Sequence, residues 1–190
     1  MEALLVSVGI VALAEIGDKT QLLTLVLAAR YRRPWPIVAG IFVATLVNHG
    51  IAGAVGAWLT RAIGPDAMRW VLGVSFIAMA GWMLIPDKRD EEEVATAGRL
   101  GVFGTTLLAF FFAEMGDKTQ IATVALAAQY SAFYMVVAGT TLGMMIANVP
   151  AVLLGERVTR RVPIRAIHAV AAVIFALLGV AALFGVGDLI

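Results

Sequence analysis

Two eight-residue stretches hold most of the chemistry available to this 190-residue chain. They are Ala14-Glu15-Ile16-Gly17-Asp18-Lys19-Thr20-Gln21 and Ala113-Glu114-Met115-Gly116-Asp117-Lys118-Thr119-Gln120. Each supplies two carboxylates, one ammonium, one hydroxyl and one amide. On a helix, Glu15 lies three residues before Asp18 and four before Lys19, so all three share one face; Glu114, Asp117 and Lys118 repeat the pattern. Oxygen ligands of this kind suit hard divalent cations such as Ca²⁺, Mg²⁺ and Mn²⁺. Carboxylates also take up protons, so one site can hold either a metal or protons. Glu15, Asp18, Glu114 and Asp117 are therefore the expected metal ligands, with Thr20, Thr119, Gln21 and Gln120 beside them. Lys19 and Lys118 donate only. They either pair with Asp18 and Asp117 or hold the site together when no metal is bound. His49 and Asn148 are further candidates, with ligation and helix–helix hydrogen bonding both open. An imidazole suits Mn²⁺ better than Ca²⁺.

The chain around these groups is 61% hydrophobic and 14% charged, with 14 basic against 13 acidic residues. Average globular chains are roughly 45–50% apolar and about 25% charged. A mean hydropathy of +0.93 therefore points to lipid as the solvent. A net charge of +1 gives no basic patch for phosphates and argues against a nucleic-acid partner. The absence of Cys excludes disulfides and thiolate chemistry.

Six apolar runs are long enough to span a bilayer: 3–29, 36–60, 67–85, 102–128, 134–155 and 166–186. The expected fold is an all-α integral membrane protein of six transmembrane helices. Both motifs fall at the centres of their runs, near residues 16 and 115. Each ionised group there would cost roughly 2.5–3.5 kcal/mol if it faced lipid, so these groups must face one another, water or an ion. The first run is long for a membrane and is expected to be tilted or broken at the motif. The intramembrane glycines are expected to allow close helix packing. His168, beside Arg165 at the start of the last run, reads as interfacial.

The motifs are 99 residues apart, and that offset holds without a gap well beyond them. It pairs Thr24 with Thr123, Leu27-Ala28-Ala29 with Leu126-Ala127-Ala128, His49 with Asn148, and Phe76 with Phe175. A three-span unit has been duplicated. After three crossings the chain emerges on the opposite side, so the second copy must be inverted, which is a transporter architecture. The expected organisation is a first repeat over 1–86, an acidic cytoplasmic linker over 87–99 and an inverted repeat over 100–190. Ten Lys and Arg residues follow spans one, three and five, against Arg61 and Arg69 on the other side. The positive-inside rule then places both termini outside the cytoplasm. No feature of the sequence specifies an oligomer.

Two copies of E-x-G-D-K-T, each in the first span of a three-span half and separated by an acidic segment, resemble the Gdt-type cation/proton antiporter family. The resemblance covers essentially the whole chain, and both motifs match without departure. It implies a secondary transporter, not an enzyme, that moves Mn²⁺ or in some members Ca²⁺ against protons. It also implies that Glu15, Asp18, Glu114 and Asp117 carry the metal, with no permanently bound cofactor. The small size resembles bacterial members, which implies Mn²⁺ export across the inner membrane. Two readings from other classes stand beside it. In an intramembrane aspartyl protease, Asp18 and Asp117 would form the acid pair, but the adjacent Lys and Glu add too much charge for that chemistry. In a scaffold, the charges would only lock helices together.

Overall fold

The computed structural model describes residues 1–85, 100–130, 132–155 and 163–185. The acidic linker expected over 87–99 lies outside these residues. So do Lys88, Arg89, Arg99, Arg157, Arg160 and Arg161 of the basic set. The described residues form eight helices: α1 (Glu2–Glu15), α2 (Lys19–Tyr31), α3 (Pro34–Ala62), α4 (Pro65–Met83), α5 (Gly101–Glu114), α6 (Lys118–Tyr130), α7 (Phe133–Leu154) and α8 (Ile164–Phe184). By length and composition α3, α7 and α8 can each cross a membrane. The chain is all-helical among the described residues and has the character of a membrane protein.

The first and fourth predicted runs are each broken into two half-helices at the motif. The local cause is the same twice. Ile16 and Met115 leave the helix in extended conformation. Gly17 and Gly116 then take φ of +87° and +75°, a region open to glycine and costly for other residues. A new helix starts one residue after Asp18 and Asp117 respectively. Prolines at the first turns of α3 and α4 suit helix starts, where the missing N–H costs nothing.

Helix packing follows the small residues and repeats at the same offset. A Cβ on Gly40 would stand 2.8 Å from Thr106 Cβ and 3.0 Å from Phe103 O, which sets the α3–α5 approach. A Cβ on Gly139 would stand 2.8 Å from Ser7 Cβ and 2.6 Å from Leu4 O, which sets α1 against α7. Each residue of the second contact is 99 positions from its counterpart in the first. One contact has been built twice, as duplication requires. Gly56 lets α3 meet α6 at Val124 and Ala127. α3 and α7 thereby hold all four half-helices, and the carboxylates beside the two breaks meet inside the protein.

Candidate metal site

Both half-helix junctions present acid to the interior. Glu15 ends α1 and Glu114 ends α5, where helix carbonyls leave a partial negative charge that favours a cation. Asp18 and Asp117 stand just before α2 and α6, whose positive ends favour carboxylates. All four side chains are buried. One oxygen from each of Glu15, Glu114 and Asp117 lies within 4.8 Å of the others. Asp18 is not in that group. Its Oδ1 accepts from Lys118 Nζ at 3.2 Å, and both residues are buried.

The lysines pair across the motifs. Lys118 of the second motif meets Asp18 of the first, and Lys19 of the first lies 3.6 Å from Asp117 of the second. The two pairs are unequal. The Lys118 side chain is 1% exposed, whereas that of Lys19 is 32% exposed. One pair is sealed and the other opens to the surroundings.

The remaining motif residues act on the glutamates and the breaks. Thr20 donates to Glu15 Oε1, and Thr119 donates to Glu114 Oε1. Gln21 Oε1 accepts from Gly17 N at 2.9 Å, and Gln120 Oε1 accepts from Gly116 N at 2.7 Å. Both glutamine oxygens therefore stitch the breaks closed. Gln21 also donates to Ala147 O at 3.1 Å, tying the first break to α7.

His49 and Asn148 reach the site from α3 and α7, one to each glutamate. Asn148 Nδ2 donates to Glu15 Oε1 at 3.1 Å, and Thr24 Oγ1 holds the amide by donating to its Oδ1 at 2.7 Å. His49 Nε2 lies 3.5 Å from Glu114 Oε1. The His49 ring is buried, and among the described residues neither nitrogen has a hydrogen-bond partner. The same holds for Glu15 Oε2 and Glu114 Oε2. Acceptor-only oxygens buried without donors are costly unless a cation or proton meets them.

Three participants were not singled out for the site from sequence. Thr24 holds Asn148, and its only signal was its pairing with Thr123. Asn48 donates to Phe111 O at 2.9 Å, tying α3 to α5. His168, read from sequence as interfacial, places Nε2 2.8 Å from Ile16 O, at the first break. That contact spans 152 residues of sequence and leaves no local trace.

An all-helical membrane protein with buried carboxylates converging at helix breaks belongs to the class that handles cations within the bilayer. Residues 3–91 and 102–188 match the family model described as "Divalent cation/proton antiporter GDT1", and the chain belongs to that family. It is a transporter and not an enzyme. It is 53% identical over 186 residues to a Vibrio cholerae protein described as "Putative manganese exporter", covering 97% of this chain and 92% of that one. It is 29% identical to a GDT1-like protein of Synechocystis sp., covering 90% of this chain and 91% of that one. It is 26% identical to GDT1-like protein 3 of Oryza sativa subsp. indica, covering 92% and 71% respectively. No solved structure matches the chain.

Proposed function

We propose that this protein exports Mn²⁺ from the cytoplasm in exchange for protons. The ligands are Glu15, Glu114 and Asp117, with Asp18 as the fourth carboxylate. The observation that carries this reading is the convergence of three buried carboxylates, one from the first motif and two from the second. Family membership and the 53% identical relative support it. The chain crosses the bacterial inner membrane six times as two inverted three-helix repeats, 1–86 and 100–190, joined by the cytoplasmic linker 87–99. Both termini lie outside the cytoplasm. The halves move about the site and open it to one side at a time.

The role of each residue follows from its contacts. The carboxylates bind the cation. Thr20 and Thr119 orient the glutamates, and Asn148 holds Glu15. The four acids and two lysines carry 2 − 4 = −2 when all are ionised. One divalent cation or two protons would neutralise that charge, which is the physical basis of exchange. Lys19 and Lys118 bridge the motifs when the metal leaves.

A calcium/proton antiporter with the same site is the second reading. His49 favours manganese, because its buried ring lies beside Glu114 with neither nitrogen hydrogen-bonded among the described residues, and imidazole ligates Mn²⁺ far better than Ca²⁺. The test is cation flux in proteoliposomes under an imposed pH gradient. Mn²⁺ should move against protons, and Glu15→Gln and Glu114→Gln should each abolish the flux. Normal Mn²⁺ transport by either variant would overturn the site, and Ca²⁺ flux outcompeting Mn²⁺ would select the second reading.

A further inference from the structure

α4 and α8 pack closely against each other as one unit. They approach closely at Gly73 and Gly179: a Cβ on either would stand 3.0–3.1 Å from the other's carbonyl oxygen. At the centre of the pair the Phe76 and Phe175 rings lie 6.1 Å apart. Those residues are equivalent at the offset of 99, so the duplication axis passes between them.

The unit is not symmetric toward the rest of the protein. α8 lies along α1, and α4 lies along α6; neither makes a comparable contact with the equivalent halves α2 and α5. Equivalent positions show the difference one by one. Leu13 packs against the apolar cluster that contains α4 and α8, whereas Phe112, its equivalent on α5, is 62% exposed. Ala125 is buried in the same cluster, whereas Val26, its equivalent on α2, is 48% exposed. The second cluster, built from α1, α2, α3, α5 and α7, contains no described residue of α4 or α8.

The two helix breaks differ in the same way. Ile164 covers the first, its side chain occupying the space a Gly17 Cβ would need. His168 Nε2 is 2.8 Å from Ile16 O. A carbonyl only accepts, so Nε2 carries the proton. At the second break, no atom of the described residues lies within 4 Å of a Gly116 Cβ, and Met115 is 55% exposed. The residue equivalent to His168 is Arg69. Its Nε is buried and, among the described residues, has no hydrogen-bond partner.

We propose that α4 and α8 move as one unit between the α1/α6 halves and the α2/α5 halves, with His168 and Arg69 as alternate latches. In the state seen here His168 holds Ile16 O. In the other state Arg69 donates to Met115 O, and the exposed faces of α2 and α5 receive the pair. Both latches are positioning residues: each fixes the carbonyl next to a site glutamate, Glu15 or Glu114. The proposal rests on the inverted-repeat transporter reading above, because the second state is the first with the repeats exchanged.

The chain has no Cys, so paired cysteines report only where they are placed. The test uses the full-length protein in liposomes and a short bis-maleimide cross-linker. One variant carries Leu22→Cys with Arg165→Cys; the other carries Ile121→Cys with Asp66→Cys, which is the same pair 99 residues away. At rest the 22/165 pair should cross-link in preference. With Mn²⁺ and a pH gradient both pairs should link. His168→Ala should lower the 22/165 yield and raise the 66/121 yield several-fold. His168→Gln, whose amide can still donate, should restore the original ratio. Arg69→Gln should lose the 66/121 product and keep the 22/165 product. If both pairs link but the variants leave the yields unchanged, the latches are wrong. If 66/121 never links while Mn²⁺ still exchanges for protons, the exposed faces are lipid contacts and the moving pair is wrong. If neither linking nor exchange responds to Mn²⁺, the transporter reading falls with it.

Discussion

At the scale of single residues, the site is a contest between buried charges and the few groups that satisfy them. Asp18 meets Lys118, while Glu15 and Glu114 each keep one buried oxygen without a hydrogen-bond partner among the described residues. Asn148 fixes Glu15 without being one of the converging carboxylates. Outer partners of this kind typically cost 10–100-fold in metal affinity when removed. Asn148→Ala should therefore weaken Mn²⁺ binding by roughly that factor in calorimetry, and Glu114→Gln should weaken it more. His49→Asn would give both glutamates the same amide partner. Its expected effect is a loss of Mn²⁺ preference over Ca²⁺ in competition assays, with Ca²⁺ flux retained. Unchanged selectivity would mean that His49 does not ligate the cation. The doubled motif was legible in sequence as acid-rich and cation-directed. The exchange of lysine partners was not, because Lys118 and Asp18 are 100 residues apart and each motif also offers a lysine to its own aspartate.

At the scale of elements, the broken helices decide where the charges can go. The length of the first run pointed to a tilt or a break at the motif; the run is broken, and so is the fourth. The two breaks look alike in sequence but are not equally constrained. Both glycines sit at positive φ, where an L side chain costs about 1–2 kcal/mol. Gly17 also lies under Ile164, whereas Gly116 faces open space. Gly17→Ala should therefore lower the melting temperature of the detergent-purified protein more than Gly116→Ala does. Equal shifts would mean that α8 does not rest on the first break in solution. No local sequence signal distinguishes these glycines, since the difference comes from a helix nearly 150 residues away.

At the scale of the whole molecule, orientation rests on charge. Of the twelve basic residues assigned to the surfaces, ten fall on one side. A reporter fused to the C-terminus should be active only outside the cytoplasm. A cytoplasmic signal would reverse the orientation and, with it, the direction of export. Asymmetry between the halves is a second property at this scale. The halves share a motif and an offset, yet one lysine is sealed and the other is open, and one break is covered while its counterpart is not. A duplicated chain cannot place a single α4–α8 pair symmetrically on both sets of half-helices at once, so one set is left bare.

The sequence by itself determined the apolar composition, the offset of 99 between matching residues, the acid-rich motifs and the family. Those properties follow from composition, from hydrophobic run length and from residue types at fixed spacing, all of which are local or periodic. Only the tertiary structure decided which three carboxylates converge, which lysine answers which aspartate, and that His168 reaches a broken helix. Each of those depends on contacts between segments about a hundred residues or more apart. Two nearly identical motifs offer equivalent partners, and only packing in three dimensions selects among them.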